Sequence, residues 1–499
     1  MLIPMTRSLL IISSAAFLAA LQAAPPSAVE AQFNQVRKSP PELYAFLLRM
    51  PKGGDLHNHL AGADYAEDIV SAAAQSGFCL DQHTMAILKT CSSSGSLEAT
   101  RANNSNPTLN ALIDTYSMRN FVPGHDTPHD HFFNTFGLFS PVDSPHGGEF
   151  VVQAIRRAAD QNESYLELMA LSGGGAISAL GASTGFNGNF GETADKLKAA
   201  GLPDLVLAQK SKVDEIEKKR LELLNCESES KSPPCRLTIR YVYQVLREFP
   251  KEQVFAQVLA GFQLAALDPR VVGINLVQPE DGINSMRNYH LDMQMVDFAK
   301  RLYPKVHITL HAGELALGLV PPDGLRFHVR EAVELGHAER IGHGVDIMYE
   351  TGAVELLREM RAKRIAVEIN LTSNDLILGV KGIDHPFPVY RKYGVPVVIS
   401  TDDEGVNRSH LTEEYQRAVL TYGLSYADLK QIVRNSLEYS FLSGESLWSD
   451  ATYNAPVKPC VGGLASRTCQ AYLANSDKAK AQADLESRFR EFEAATIKR

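Results

Sequence analysis

The sequence predicts an α/β fold of the TIM (β/α)8 barrel class, with a short N-terminal helical lead-in and insertions at the active-site face of the barrel. Short apolar runs alternate with helical stretches along the chain, which is typical of parallel strands joined by helices. There are eight such runs, the number that a closed barrel of this class requires. Runs such as VVGINLV and VPVVIS are almost continuous in Val and Ile, as strands buried on both faces are.

The predicted barrel domain occupies residues 51–476 and follows a helical extension at residues 24–50. Residues 477–499 predict a charged amphipathic helix as a C-terminal tail. The eight predicted strands are Asp55–Leu60, Tyr165–Leu171, Leu237–Gln244, Val271–Val277, Val306–His311, Arg340–His343, Ile365–Leu371 and Val395–Thr401.

Two long excursions interrupt the alternation, at residues 61–163 and roughly 172–235. The first contains HFFNTFGLFSP, whose phenylalanines either form a lid over the active site or belong to ordinary helix core, and Phe136 is a candidate substrate contact. The second contains GGGAISALGAS, which lacks the context of a nucleotide-binding loop and is interpreted as a flexible linker. A charged helix follows it, KSKVDEIEKKRLELL, and predicts a solvated face.

Composition and charge favour a globular protein that acts on a small molecule. The chain has 499 residues, 44% of them hydrophobic and 21% charged, which excludes a disordered or fibrous protein. Its formal net charge is −9 and it has no long basic run, so binding to nucleic acid through phosphate contacts is not expected. The composition leaves the oligomeric state open.

The N-terminus and the cysteines predict an exported protein. Residues 1–23 resemble a cleaved signal peptide, although an uncleaved anchor is the alternative, and the apolar run is shorter than the ~20 residues that a spanning helix needs. We therefore expect a secreted or periplasmic protein without a membrane span once the signal is removed. The six cysteines permit fifteen connectivities, of which nearest-neighbour pairing is our hypothesis: Cys79–Cys91, Cys226–Cys235 and Cys460–Cys469.

Four candidate metal ligands stand at the ends of predicted strands. His57 and His59 alternate on the first strand and therefore share one face, His311 ends the fifth strand, and Asp402 follows the eighth. The C-terminal ends of barrel strands meet at one rim, so these side chains should converge. Three imidazoles and one carboxylate match the preference of a single catalytic zinc ion with an open position for water.

Further polar groups follow the same strand ends. Glu314 comes just after the fifth strand, His343 ends the sixth and Asp403 follows Asp402, which makes them candidate proton carriers or substrate contacts. The ordinary alternatives are that His343, between two glycines, is a structural turn and that the adjacent aspartates only cap the next helix. The other His-x-His pair, at residues 129 and 131, lies away from the strand ends and is not interpreted as a ligand pair.

Four motifs in order resemble those of the adenosine and AMP deaminase family: MPKGGDLHNHL, HAGE, RIGHG and STDDEG. The similarity spans roughly residues 43–440, and the MPKGG lead-in and apolar N-terminus resemble the secreted growth-factor-type adenosine deaminases most. The resemblance implies hydrolytic deamination of adenosine or 2′-deoxyadenosine to inosine and ammonia. It implies one zinc ion bound by His57, His59, His311 and Asp402, protonation of purine N1 by Glu314, deprotonation of the nucleophilic water by His343, and a hydrogen bond from Asp403 to N7.

Two departures from the family pattern concern substrate recognition. The family's purine enzymes commonly have Asp where this chain has Ala61, so recognition of the ribose must come from elsewhere. Gln278 stands where related sequences have a glycine that meets the purine, and it is a candidate substrate contact, with Glu280 as a possible neighbour in the same region. Two alternatives remain: a related amidohydrolase acting on another 6-substituted purine or aminated ring, and a non-catalytic extracellular binding protein of the same fold.

Overall fold

The computed structural model describes residues 28–91, 95–124 and 126–497. The predicted signal peptide lies outside the described residues. The strands are β1 (Gly54–His59), β2 (Cys79–Asp81), β3 (Ile87–Leu88), β4 (Ser96–Glu98), β5 (Tyr165–Ser172), β6 (Thr238–Leu246), β7 (Val271–Val277), β8 (His307–Ala312), β9 (Arg340–His343), β10 (Ala366–Ile369) and β11 (Val397–Ile399).

Eight of these strands form the parallel barrel that the apolar runs predict, in the order β1-β5-β6-β7-β8-β9-β10-β11. Two backbone hydrogen bonds close it between β1 and the segment that follows β11: the amide of His59 donates to the carbonyl of Asp402 at 3.2 Å, and the amide of Asp402 donates to the carbonyl of His57 at 2.9 Å. This closure sets two candidate metal-ligand strand ends side by side.

Helices surround the barrel and bury the outer faces of its strands, which is why those strands are apolar throughout. The α-helices are α1 (Ala28–Val36), α2 (Pro40–Arg49), α3 (Leu60–Ala63), α4 (Ala66–Gln75), α5 (Ala99–Asn103), α6 (Asn106–Thr115), α7 (Pro128–Phe139), α8 (Asp143–Asp160), α9 (Ala176–Thr184), α10 (Phe190–Ala199), α11 (Leu202–Leu223), α12 (Pro233–Arg236), α13 (Lys251–Leu267), α14 (Ile283–Leu302), α15 (His328–Glu334), α16 (Ala353–Lys363), α17 (Leu371–Leu378), α18 (Phe387–Tyr393), α19 (Glu404–Asn407), α20 (Leu411–Tyr422), α21 (Tyr426–Glu438), α22 (Arg467–Leu473) and α23 (Asp477–Ile497).

The lead-in helices and the C-terminal helix pack against one another. Phe46 of α2 makes edge-on contacts with Phe492 of α23 at 5.1 Å and with Tyr426 of α21 at 6.0 Å between ring centroids. Arg434 of α21 donates two hydrogen bonds to Glu486 of α23, at 2.7 and 2.9 Å. The two ends of the described chain therefore form one layer on the outside of the barrel.

The first excursion builds the wall of the active-site face. Strands β2, β3 and β4 form a small antiparallel sheet within it, in the order β3-β2-β4. In α7, Phe132 and Phe139 are buried in the core, whereas Phe136 is half-buried and faces a cavity. Phe132 and Phe139 are therefore core residues, Phe132 and Phe136 also line the cavity, and the role of the segment as a lid stays a prediction.

The Gly-rich run in the second excursion is not the flexible linker that its composition suggests. It forms helix α9, whose Ile177 is buried against the core. Gly181 allows α9 to approach α13 closely, since a Cβ atom there would come within 2.5 Å of the Glu252 carbonyl oxygen. Small residues that looked like signs of flexibility instead permit close helix packing. The charged segment that follows lies in α11, whose side chains are mostly exposed, as predicted.

The disulfide pairing expected from the sequence is confirmed. The bonds are Cys79–Cys91, Cys226–Cys235 and Cys460–Cys469. Cys460 and Cys469 are buried in a small separate apolar cluster with Leu447 and Ala479. Among residues 28–91, 95–124 and 126–497, none of the helices combines the length and hydrophobicity that crossing a bilayer requires.

Candidate active site at the rim of the barrel

The C-terminal ends of the barrel strands open into a cavity of about 720 Å³. Its floor is formed by side chains at the strand ends, and its outer wall by α7 and the start of α8. The lining residues are His59, Ala61, Phe132, Phe133, Phe136, Gly137, Ser140, Asp143, Ser172, Gly174, Gln244, Leu246, Phe249, Val277, Gln278, Pro279, His311, Glu314, Asp402 and Asp403. A cavity of this size accommodates a small organic molecule.

The four predicted metal ligands converge at the floor of this cavity. Nε2 of His59 lies 3.2 Å from Nε2 of His311 and 3.4 Å from a carboxylate oxygen of Asp402. Nε2 of His57 lies 3.4 Å from the same Asp402 oxygen, is fully buried and has no hydrogen-bond partner. Donor atoms of His57, His311, His343 and Asp402 lie within 4.8 Å of one another. These atoms fit a divalent cation, because only a shared positive charge satisfies so many converging acceptors.

Each predicted histidine ligand is oriented by a hydrogen bond to its other ring nitrogen. Nδ1 of His57 contacts Glu368 at 2.6 Å, and Nδ1 of His311 contacts the Asn275 side-chain oxygen at 2.9 Å. Nδ1 of His59 contacts the Gln244 side-chain oxygen at 3.1 Å. These contacts place the proton on Nδ1 and leave each Nε2 free to bind a metal, which is the usual arrangement around a metal-binding histidine.

A buried ionic network lies behind His57. Arg340 donates to Glu368 and to Glu167, both at 2.5 Å, and all three side chains are at most 1% exposed. Burial raises the pKa of Glu368, but the charge of Arg340 and the hydrogen bond to His57 outweigh it and bring the pKa to about 2. Glu368 is therefore an ionised partner of His57 at neutral pH, whereas the partners of the other two histidines are neutral amides.

Glu314 and His343 adjoin the ligand cluster. A carboxylate oxygen of Glu314 lies 3.6 Å from Nδ1 of His343. Burial and the negative charge of Asp402 raise the pKa of Glu314 well above its ordinary value, which favours the protonated form of its carboxyl group. Burial also lowers the pKa of His343 to about 3, against the opposing charge of Asp402, so this imidazole is neutral. Nδ1 of His343 lies 2.9 Å from the side-chain amide nitrogen of Asn374.

Asp403 faces the cavity and does not act as a helix cap. It precedes α19, but its side chain makes no capping hydrogen bond. Gly62 lies against it, since a Cβ atom at Gly62 would come within 1.7 Å of an Asp403 carboxylate oxygen. Burial and the neighbouring charge of Asp402 raise the pKa of Asp403 well above its ordinary value. The raised pKa favours the protonated form of Asp403, and its carboxyl group lines the cavity.

Of the candidate substrate contacts that follow β7, Gln278 lines the cavity and Glu280 does not. Gln278 lines the cavity with a backbone φ of +84°, the left-handed region that favours glycine, and its side-chain oxygen accepts a hydrogen bond from the Glu248 amide at 3.0 Å. Glu280 does not face the substrate region, because its carboxylate is 1% exposed and accepts hydrogen bonds from the amides of Gly313 and Glu314 at 3.0 and 2.7 Å. It anchors the loop that carries Glu314.

The sequence interpretation missed Glu368, Asn275 and Gln244, which orient the three histidines. Each is a polar residue inside an otherwise apolar strand, in IAVEIN, VVGINLV and YVYQVL. That break in the apolar pattern is a usable signal, because a buried polar side chain needs a specific partner. The pair His129 and His131 stays outside both candidate metal clusters among the described residues, as the sequence indicates. His129 instead contacts Asp281 at 3.0 Å.

Comparison with known proteins identifies relatives of this site. The family model for adenosine deaminase matches residues 221–447. The adenosine deaminase of Clostridium perfringens is 39% identical over 139 residues, covering 28% of this chain and 39% of that protein. The adenosine deaminase of Shewanella halifaxensis is 31% identical over 207 residues, covering 41% of this chain and 56% of that protein. The chain thus spans about half the length of the curated relatives that it matches.

Solved structures share the fold. An adenine deaminase from Arthrobacter aurescens aligns over 79% of this chain and 94% of its own, with a TM-score of 0.51 and 19% identity. Arabidopsis ADAL complexed with IMP aligns over 89% and 99%, with a TM-score of 0.54 and 19% identity. An amidohydrolase from Burkholderia ambifaria with bound Zn aligns over 91% and 95%, with a TM-score of 0.55 and 16% identity.

Proposed function

We propose, from the premise that this chain belongs to the adenosine deaminase family, that it is a zinc-dependent hydrolase converting adenosine or 2′-deoxyadenosine to the 6-oxo nucleoside and ammonia. One observation carries the proposal. Four candidate ligands from three strand ends of the barrel rim meet beside a buried Glu314 and His343 at the floor of a cavity of about 720 Å³. Metal-assisted hydrolysis at an electron-poor ring carbon uses this set of groups.

Zinc fits the site because its donors are three imidazoles and one carboxylate. A zinc ion bound by His57, His59, His311 and Asp402 supplies Lewis-acid chemistry and lowers the pKa of a water molecule to about 7. The buried, unpartnered Nε2 of His57 supports the assignment, since leaving such an atom unsatisfied costs about 1–3 kcal/mol.

The remaining groups move protons and orient the base. Glu314, whose burial raises its pKa and favours the protonated form, donates its proton to N1 of the purine, which makes C6 electrophilic. His343, held neutral, accepts a proton from the water that attacks C6, and that proton is available to the departing amine. Asp403 donates a hydrogen bond to N7 and thereby fixes the orientation of the ring. The balance is one nucleoside and one water consumed, one 6-oxo product and one ammonia formed.

A second candidate is deamination of another 6-substituted purine or aminated ring by the same machinery. Ala61 and Gln278 favour it, because both line the cavity where family members use an aspartate and a glycine. The catalytic groups are the same in both cases, so the two candidates differ only in the part of the substrate distant from C6.

We also propose that the protein functions outside the cytosol, in the periplasm or after secretion, as a growth-factor-type deaminase. The three disulfides support this location, because such bonds persist in oxidising compartments.

The test combines turnover with metal analysis. Purified protein should release ammonia from adenosine and contain one zinc ion per chain. Glu314→Gln should lose at least about 100-fold in kcat while retaining zinc, because it removes the proton donor and no ligand. The matched control is Glu163→Gln, a substitution of another buried glutamate that precedes β5 at the opposite end of the barrel. Equal turnover by Glu314→Gln and Glu163→Gln would contradict the assigned role.

A further inference from the structure

The outer wall of the cavity contains one acidic residue that the proposed chemistry does not use. Asp143 begins α8 and lines the cavity together with Ser140 of the preceding turn. Within the part of the chain that the structure describes, its carboxylate has neither a hydrogen-bond donor nor a cationic partner. Burial raises its pKa to about 7. A half-buried carboxyl group without a protein partner, facing a ligand cavity, is available to a ligand.

Asp143 does not act as a helix cap, the usual structural role of an aspartate at the start of a helix. An aspartate at the start of a helix usually caps the exposed amides, but the N-cap of α8 is Val142 and no side-chain capping bond is formed. Asp143 gains at most the favourable interaction with the helix dipole, about 0.3–1 kcal/mol for an exposed carboxylate. That gain is small beside the cost of partial burial without a partner.

Asp143 lies in the neighbourhood of Asp64, the residue that follows α3. The charge of Asp143 contributes to the raised pKa of the buried Asp64. Ala61 and Asp143 both line the cavity. Asp143 therefore places a carboxyl group in the same cavity as Ala61, where position 61 itself offers none.

The charges around the cavity limit the charge of the substrate group that lies away from the metal site. Among the described residues that line it, none is Lys or Arg, while Glu314, Asp402, Asp403 and Asp143 are acidic. A phosphate group placed beside Asp143 has no cation to neutralise it, whereas a neutral sugar offers hydroxyl donors to that carboxylate.

We propose that Asp143 is the sugar-binding residue of this site, accepting a hydrogen bond from a hydroxyl of a nucleoside and excluding nucleoside monophosphates. This inference rests on the proposed function and extends it to the substrate class. It assigns discrimination between nucleoside, free base and nucleotide to one side chain outside the metal site.

The experiment compares substrates with and without the sugar. Above pH 7, where Asp143 is ionised, Asp143→Asn and Asp143→Ala should lower kcat/KM for adenosine about 10- to 100-fold, mostly through KM, because a hydrogen bond to a charged group is lost. Neither should change kcat/KM for adenine, which has no sugar. Asp143→Lys should raise the ratio of AMP to adenosine turnover. Asp160→Asn, at the exposed far end of α8, is the matched control and should change none of these values.

Binding without turnover separates this inference from the proposed function. In the Glu314→Gln background, calorimetry with adenosine and with adenine should show that Asp143→Asn weakens only adenosine binding. Equal effects on both ligands, or no effect on adenosine, would overturn the inference even if wild-type protein deaminates adenosine. Wild-type protein that binds adenosine but releases no ammonia would overturn the proposed function, and absence of adenosine binding would overturn both.

Discussion

The ionised partner of His57 gives the sharpest prediction about the metal site. Glu368 accepts hydrogen bonds from Nδ1 of His57 at 2.6 Å, from the Thr309 hydroxyl at 2.8 Å and from Arg340 at 2.5 Å. Glu368→Gln keeps the shape of the side chain but removes its charge. Arg340 then has Glu167 as its one remaining carboxylate partner, and His57 loses its charged acceptor.

The expected loss of unfolding free energy in Glu368→Gln follows from the burial of its ion pair with Arg340. Glu368 and Arg340 are at most 1% exposed, and breaking a buried ion pair by removing one partner costs about 3–5 kcal/mol. We expect the lower end, about 3 kcal/mol, because Arg340 keeps its bond to Glu167. Loss of the partner that orients a metal ligand lowers metal affinity by about 10–100-fold, and we expect that range for zinc.

Glu167→Gln is the matched control because it removes the other carboxylate partner of Arg340, and Glu167 does not contact a candidate ligand. Urea unfolding of the zinc-free proteins should give similar losses of unfolding free energy for both variants. Zinc affinity, measured by competition with a chelator, should fall only for Glu368→Gln. Unchanged zinc affinity in Glu368→Gln, or an equal loss in Glu167→Gln, would refute the role given to Glu368.

Three further predictions concern other parts of the chain. Burial lowers the pKa of His129, but its bond to Asp281 and the nearby negative charges raise it to about 9. The stabilisation of wild type over Asp281→Asn should therefore be complete below about pH 6.5 and lost as the pH rises through about 9 in thermal unfolding; a pH-independent difference would contradict this. Gln278→Ala should be less stable than Gln278→Gly by about 1 kcal/mol, because only Gly adopts the positive φ without strain; equal urea midpoints would exclude such strain. Replacing both Cys460 and Cys469 by Ser should cost about 2–3 kcal/mol by urea unfolding, from the loop of sequence separation 9 that the bond closes; no loss would mean that reduction leaves the loop ordered.

The fold was predictable because its signals are local. Each barrel strand is a short apolar run bounded by polar residues, so period and length identify it without knowledge of its neighbours. The helix α9 was not predictable from composition, because the glycines that suggest flexibility serve the close approach of α13, which lies far along the chain.

The ligand positions in the site were predictable for a related reason. A polar residue at the end of a barrel strand must face the rim, so His57, His59 and His311 could be assigned to one place before any distance was known. The partners Glu368 and Asn275 depend on which strands are neighbours and in what register, which single strands do not reveal. The place of Asp143 in the cavity depends on how the start of α8 folds over the barrel rim, and no local pattern in the sequence encodes that.

The measurement that tests the central claim most directly is ammonia release from adenosine by the purified, zinc-loaded protein, followed together with the ultraviolet change from adenosine to inosine. Stoichiometric formation of both products, with one zinc ion per chain, is the predicted result. Protein that holds zinc yet leaves adenosine, 2′-deoxyadenosine and adenine unchanged would contradict the claim.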